Sequence, residues 1–231
     1  MNNYILIITH VLPFPPSAGN EIRIFKLLKF LKESGYRTIL FITSANLSEE
    51  AFQELSNVVE EVYCFTKFYE LTSNKLRNNF INRLRLNLGE SKERFFRKIF
   101  RLLKIEAKNI TSGNFEQSIC NDLVSGHINQ LIGNVQLLHR KYAPFAVIAE
   151  YIFMSPCLDV LPDDILKIID THDVFSRKAD TVEKYGIVEK MQCSPEEERQ
   201  YLLRSDVVMA IQDNEAKILQ ELVPERKVIT V

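Results

Sequence analysis

Tyr4-Ile-Leu-Ile-Ile-Thr9, followed by His10-Val-Leu-Pro-Phe-Pro-Pro-Ser-Ala-Gly19-Asn-Glu-Ile-Arg23, joins a short apolar run to a proline-stiffened loop that ends on a glycine. The run reads as a β-strand, and Gly19 stands where an amphipathic helix opens. A strand, a loop and a helix mouth in this order bring backbone N–H groups up to a phosphate or a sugar. The loop has neither the GxGxxG spacing of dinucleotide binders nor the GK[ST] ending of a P-loop, so neither ligand class can be claimed from a motif. Glu21 and Arg23 follow the Gly19-Asn20 turn as a polar pair at the helix mouth.

Working outward, the segment from Glu21 to about Glu33 reads as a helix with Ile22, Phe25, Leu28 and Leu31 on one face. Gly35 ends it, and Arg37–Thr43 forms the next strand. Glu49–Leu55 reads as helix and Val58–Phe65 as strand. The alternation resumes with strand Phe145–Glu150, a short helix Ile152–Val160 and strand Leu166–Asp170. Helix Glu196–Arg204, strand Asp206–Ile211, helix Asn214–Leu222 and strand Lys227–Val231 complete it. One-to-one alternation predicts an α/β fold: a Rossmann-like, doubly wound, mostly parallel sheet with helices on both faces. The strands are rich in Val and Ile with little alternation, as buried parallel strands are.

At 231 residues and 46% hydrophobic content, the chain can bury one substantial core or two small ones. A net charge of −1 says nothing about partners, but its distribution does. Residues 67–108 hold twelve Lys or Arg against four Glu, a local +8 that leaves −9 elsewhere. Within that stretch Phe95, Ile99, Leu102 and Leu103 share a helical face, with Phe96 and Phe100 beside them. Arg94, Arg97, Lys98, Arg101 and Lys104 flank it. Phe96, Arg97, Phe100, Arg101 and Lys104 are therefore candidates to touch an anionic membrane surface. An ordinary solvated helix packed on the sheet explains the pattern equally well. No base-reading module accompanies the basic stretch, so nucleic acid is not an expected partner. Residues 114–141 read as a long helix. The four cysteines are scattered, without CxxC or zinc spacing, and read as reduced structural thiols. There is no basic n-region at the start and no apolar stretch near the roughly 18 residues of a membrane span. The expected location is cytoplasmic, with peripheral contact at the inner face of the membrane as the alternative the basic stretch raises. Val228–Val231 is apolar with no polar tail, as if the chain stopped at a domain boundary.

Two further constellations bear chemistry. Ile168-Ile-Asp-Thr-His172-Asp-Val-Phe-Ser-Arg177 places His172 just past a strand's C-terminal end, where open α/β sheets bind ligands. Asp170, Thr171 and Asp173 stand beside it to orient the ring or bind hydroxyls. Glu150-Tyr151 ends the preceding strand and should face the same cleft; a helix-capping carboxylate is the equal alternative for Glu150. Ser194-Pro-Glu196-Glu-Glu198 has the form of a helix start, so no catalysis is assigned to these glutamates. His10, His127 and His139 do not cluster with His172 in sequence, and no HExxH-type spacing occurs, so no metal is expected. A GxSxG elbow is missing as well, which argues against an α/β-hydrolase.

Taken together, Ile5–Arg23 resembles the opening of retaining, nucleotide-sugar-dependent glycosyltransferases of family 4, whose pattern is (S/T)H-x-x-P-x-P-P-x-x-G-G-x-x-R. Glu150-Tyr-Ile-Phe-Met-Ser-Pro156, Ile169–Arg177, Pro195–Glu198 and Ala210–Ala216 are similar to that family in the same order; residues 67–140 match poorly. The resemblance implies the N-terminal, acceptor-side domain of a GT-B enzyme over residues 1–231, with a basic helical insertion at about 67–140. The donor-binding C-terminal domain would lie outside this chain, and the chain by itself would be inactive. It implies that the backbone at Gly19 and Asn20 approaches the donor diphosphate and sugar, and that His172 hydrogen-bonds the transferred sugar. His10, Arg23, Glu150, Tyr151 and Asp173 would line the cleft or the acceptor side. The co-substrate would be a nucleotide-sugar, with no cofactor and no metal. The acceptor would be a glycan or a lipid-linked molecule of cell-surface polysaccharide or lipopolysaccharide synthesis. Asn20 departs from the pattern, standing where many relatives carry a second glycine. A non-catalytic Rossmann-like binding or interaction module is the competing reading.

Overall fold

The structure, a computed structural model, describes residues 3–43, 47–64, 128–178 and 193–231. Strand β1 (Tyr4–Thr9) leads through the proline loop to helix α1 (Gly19–Glu33) and strand β2 (Arg37–Ile42). Helix α2 (Glu49–Ser56) follows, opened by the Ser48 side chain accepting from the Ala51 N–H, and then strand β3 (Glu61–Cys64). After helix α3 (Ile128–Tyr142) come β4 (Ala146–Glu150) and β5 (Leu166–Asp170). Helix α4 (Pro195–Leu202), β6 (Val207–Ala210), α5 (Asp213–Leu222) and β7 (Lys227–Thr230) close the order. The basic segment 92–106 and the first part of the helix expected at 114–141 lie outside the described residues. Among the described residues no helix is long and apolar enough to cross a membrane.

All seven strands form one parallel sheet in the order β3-β2-β1-β4-β5-β6-β7. Successive side chains of a strand point to opposite faces, yet Ile5, Leu6, Ile7 and Ile8 are all buried, as is every residue of β4. Both faces of the sheet are therefore covered, as the Val/Ile-rich runs demand. The chain steps outward from β1 to β3 and then returns to lay β4 on the free side of β1. Strand order reverses between β1 and β4, and a crevice opens at the carboxyl ends there.

Two expectations are corrected, and one is refined. The buried stripe of α1 is Ile24, Leu28 and Leu31, not the series beginning at Ile22. A strict i, i+3 series drifts by about 60° per step, so Ile22 and Leu31 stand half a turn apart. Ile22 is instead 37% exposed. The short helix expected at 152–160 is present over Ile152–Leu158 and is of the 3-10 type. Pro156 lies inside it, without an N–H to donate and with a ring that crowds the preceding turn. β7 is an edge strand whose residues are half-buried or exposed, because only β6 pairs with it. Gly35 closes α1 at φ +82°, where its N–H bonds the Lys32 carbonyl and the Tyr36 N–H bonds that of Leu31. That left-handed conformation is the one glycine adopts without strain.

Candidate functional site

The register of the central strands sets the site. Glu150, the last residue of β4, is paired in register with Asp170, the last residue of β5, so two carboxyls sit side by side at the sheet's carboxyl end. Both are buried, Glu150 fully and Asp170 at 1% exposure. Buried charge is costly unless paired, and each carboxyl has found a different partner. Arg23, one turn into α1, donates to Asp170 from Nη2 (2.7 Å) and Nε (3.2 Å), a two-pronged contact. Its remaining Nη1 reaches the Val231 carbonyl at 3.2 Å. Glu150 Oε2 lies 2.8 Å from Nε2 of His172, while Oε1 has no hydrogen-bond partner.

His172 is fixed from several sides. Thr171 gives both its N–H and its hydroxyl to the Met209 carbonyl at 2.9 Å, tying the end of β5 to β6. Beyond the histidine, Glu198 of α4 is fully buried and accepts from the N–H groups of Phe175 (2.8 Å) and Ser176 (2.9 Å). The carboxylate thus caps the helical turn over 175–178. The ring of His172 stacks on Tyr151 at 4.2 Å and 7°. His10 covers Tyr151 as well, at 4.7 Å and a tilt of 58°. Tyr151 holds φ +68° and ψ 147°, a region that side chains rarely occupy. Strain of this kind persists where the surroundings over-determine it, here two rings and the Asn20 amide donating to its hydroxyl at 3.0 Å.

Burial moves these groups off their ordinary values. Burial pushes Glu150 up to about 8, against the pull of the nearby Arg23 charge. Burial and the Glu150 charge raise Asp170 to about 6, with Arg23 opposing. Burial lowers His172, with Arg23 adding to the effect while Asp170 and Asp173 work against it. His10 falls to about 4 through burial and the His172 charge. Such clustering is characteristic of functional sites.

A cleft of about 770 Å³ lies over this cluster. Its lining is polar at Gly19, Asn20, Arg23, Lys26, Tyr151, Asp170, His172 and Asp173, and apolar at Ile22, Leu27, Phe30, Met209, Ile211 and Val231. His10 and Glu150 are not among the residues that line it; Glu150 is fully buried and His10 half-buried. Asn20 has both ends of its amide engaged, Oδ1 accepting from the Glu21 N–H and Nδ2 donating to Tyr151. Space is open around the α-carbon of Gly19, where an added Cβ would meet nothing within 4 Å. Glu21 turns back onto Ser17 and Ala18, bonding their N–H groups at 2.8 Å each. Asp173 pairs with Lys178 at 2.9 Å. Phe96, Arg97, Phe100, Arg101 and Lys104 lie outside the described residues.

Glu150, Asp170 and His172 offer three ligand atoms within 4.8 Å of one another. Arg23 occupies both oxygens of Asp170 and His172 occupies one of Glu150, so the trio is an internally paired network rather than an open shell. In the sequence, Glu198 reads as part of a helix start. Ser194 and Glu197 do form that capping box, but Glu198 lies one turn before the buried Leu202, and this spacing marks it as inward-facing.

No family model matches the chain, and no curated protein matches it. Solved structures do. Sucrose-phosphate synthase from Thermosynechococcus elongatus superimposes with a TM-score of 0.56 at 11% identity, over 98% of this chain and 47% of that one. Glycyrrhiza uralensis UGT73P12, solved with glycyrrhetinic acid 3-O-monoglucuronide, gives 0.50 at 10% identity, over 100% and 49%. The chain spans about half the length of these proteins. At such identities the likeness is one of fold. The fold is a Rossmann-like α/β domain with an all-parallel seven-stranded sheet, matching one half of a GT-B enzyme.

Proposed function

We propose that this chain is the acceptor-side domain of a retaining glycosyltransferase, one that moves a sugar from a nucleotide-sugar to a glycan or lipid-linked acceptor. The observation that carries the reading is the meeting of His172 and the Gly19 mouth of α1 in one cleft at the sheet's carboxyl ends. In the reaction, the bond between the anomeric carbon and the diphosphate oxygen breaks while the acceptor oxygen bonds that carbon on the same face. The acceptor's proton leaves with the diphosphate. Backbone N–H groups at Gly19 and Asn20 and the positive end of α1 favour the leaving group's charge. His172 holds a hydroxyl of the transferred sugar. Arg23 is committed to Asp170, so the remaining cations for the diphosphate come from a second domain. No metal is part of this proposal.

The apolar lining residues of the cleft, together with Lys26, suit an acceptor that is partly apolar and anionic. Such an acceptor fits synthesis of cell-surface polysaccharide or lipopolysaccharide on the inner face of a membrane, with the basic segment 92–106 as the peripheral contact. A nucleotide-sugar screen on the protein expressed from its whole reading frame tests the reading. Sugar transfer with retention is expected, reduced on the order of 10²-fold or more in His172→Ala. The 231-residue chain alone is expected to bind donor weakly and to turn over negligibly. Absence of transfer from any nucleotide-sugar, or robust turnover by this chain alone, overturns it.

A further inference from the structure

We infer that Glu150 is a positioning residue whose buried carboxyl holds His172 by Nε2, so that Nδ1–H faces the cleft as a hydrogen-bond donor. The inference deepens the proposed function, since it assigns the chemical character that His172 shows to a bound hydroxyl, and it rests on that reading only for the ligand.

The geometry selects one ring orientation. Stacking on Tyr151 at 4.2 Å and 7° fixes the plane of the imidazole but leaves two arrangements related by a half-turn. The 2.8 Å contact between Nε2 and Oε2 chooses between them and leaves Nδ1 on the far side of the ring, toward the cleft that His172 lines. The two partners share a proton. A carboxylate wants donors on both oxygens, yet Oε1 of the fully buried Glu150 has none, and the nearby Arg23 is spent on Asp170. Such a site favours the neutral acid, in keeping with a carboxyl pushed up to about 8. A protonated Glu150 donates to a bare Nε2, and the ring proton then sits on Nδ1. Should the proton pass to the ring, Nδ1 still carries its own. In both arrangements the cleft sees a donor.

Once the pair loses that proton, the neutral ring gives Nε2–H to the carboxylate, and Nδ1 becomes an acceptor. The groups that bias this step are Asp170 on β5, Arg23 on α1, Asp173 in the following loop, and His10 and Tyr151 at the ends of β1 and β4. Donor character is thus retained through neutral pH and lost on the alkaline side.

Ring ¹⁵N spectra of the full 231-residue chain test this without any substrate, with the His172 signals assigned by their loss in His172→Gln. At pH 7 a protonated Nδ1 is expected. Raising the pH to 10 should move the proton off Nδ1 in the wild type, and the change should vanish in Glu150→Gln, whose amide cannot titrate. A bare Nδ1 at pH 7, or the same alkaline change in Glu150→Gln, overturns the inference. If Glu150→Gln does not fold, the wild-type spectrum at pH 7 still decides. The proposed function can fail in the donor screen while these spectra hold, and the reverse, so the two failures are distinguishable.

Discussion

The two ends of the same parallel strands are built to different rules. At the amino end, charges reach water: Arg37 pairs with Glu60, both about half exposed, and the mostly buried Lys167 reaches an exposed Asp163 at 3.7 Å. At the carboxyl end, Glu150, Asp170, His172 and Glu198 are all buried. Surface pairs contribute little to stability, whereas a buried ionisable group is expensive unless satisfied. The amino end is therefore tolerant, and the carboxyl end is a network in which each member leans on another. Concentrating the cost at one end is what a binding site requires and what a merely stable domain has no need to do.

Substitutions should separate the two ends. The largest effect is expected from Glu198→Ala, which strips the acceptor from two N–H groups and leaves a buried gap. A loss of about 3 to 5 kcal/mol is expected in chemical denaturation, with Glu198→Gln recovering part of it. A loss under about 1 kcal/mol would show that the 175–178 turn does not depend on α4. Next comes Arg23→Ala, which leaves Asp170 buried and alone. Because Arg23 is partly exposed, about 2 to 3 kcal/mol is expected at pH 8. The deficit should shrink at pH 5, where the lone carboxyl can protonate, and a pH-independent deficit would count against the pair.

His10 supplies a smaller, pH-tuned effect. The unfolded chain takes up a proton on this residue near 6.5 and the folded chain only near 4, so its contribution is present above 6.5 and lost as pH falls through 4. Thermal denaturation of His10→Gln against wild type should show the variant gaining ground between pH 6.5 and 4, by up to about 2 kcal/mol. A constant difference across that range would remove the claim. Asp170 acts with the opposite sign: its pKa is raised to about 6, so the stability it contributes is present at low pH and falls as pH rises through 6. At the amino end, Arg37→Ala should leave the denaturation midpoint unmoved. If it rivals Arg23→Ala, the contrast between the two ends fails.

Much of this was legible beforehand because hydrophobic period and turn chemistry are local. The β/α alternation, the Ser194 cap and the placing of His172 past a strand end all follow from neighbouring residues. Local reading misled where period alone was used. An i, i+3 count places Ile22 on the core face, but that series drifts and Ile22 lines the cleft instead. The short helix at 152–160 was legible, and Pro156 within it accounts for its 3-10 form. Glu198 was legible from its spacing to Leu202, but its position in an acidic helix start drew attention to capping alone.

The sequence by itself determined which segments become strands and helices, and that a histidine and a glycine would stand at strand and helix ends. Only the tertiary structure decided who meets whom. Arg23 and Asp170 lie 147 residues apart, Asn20 and Tyr151 131 apart, and Glu150 meets His172 through the register of β4 on β5. The reason is physical. Burial of apolar side chains is non-directional and can be read from a local pattern, whereas the partner of a buried charge depends on strand order and register, which no short stretch of chain contains.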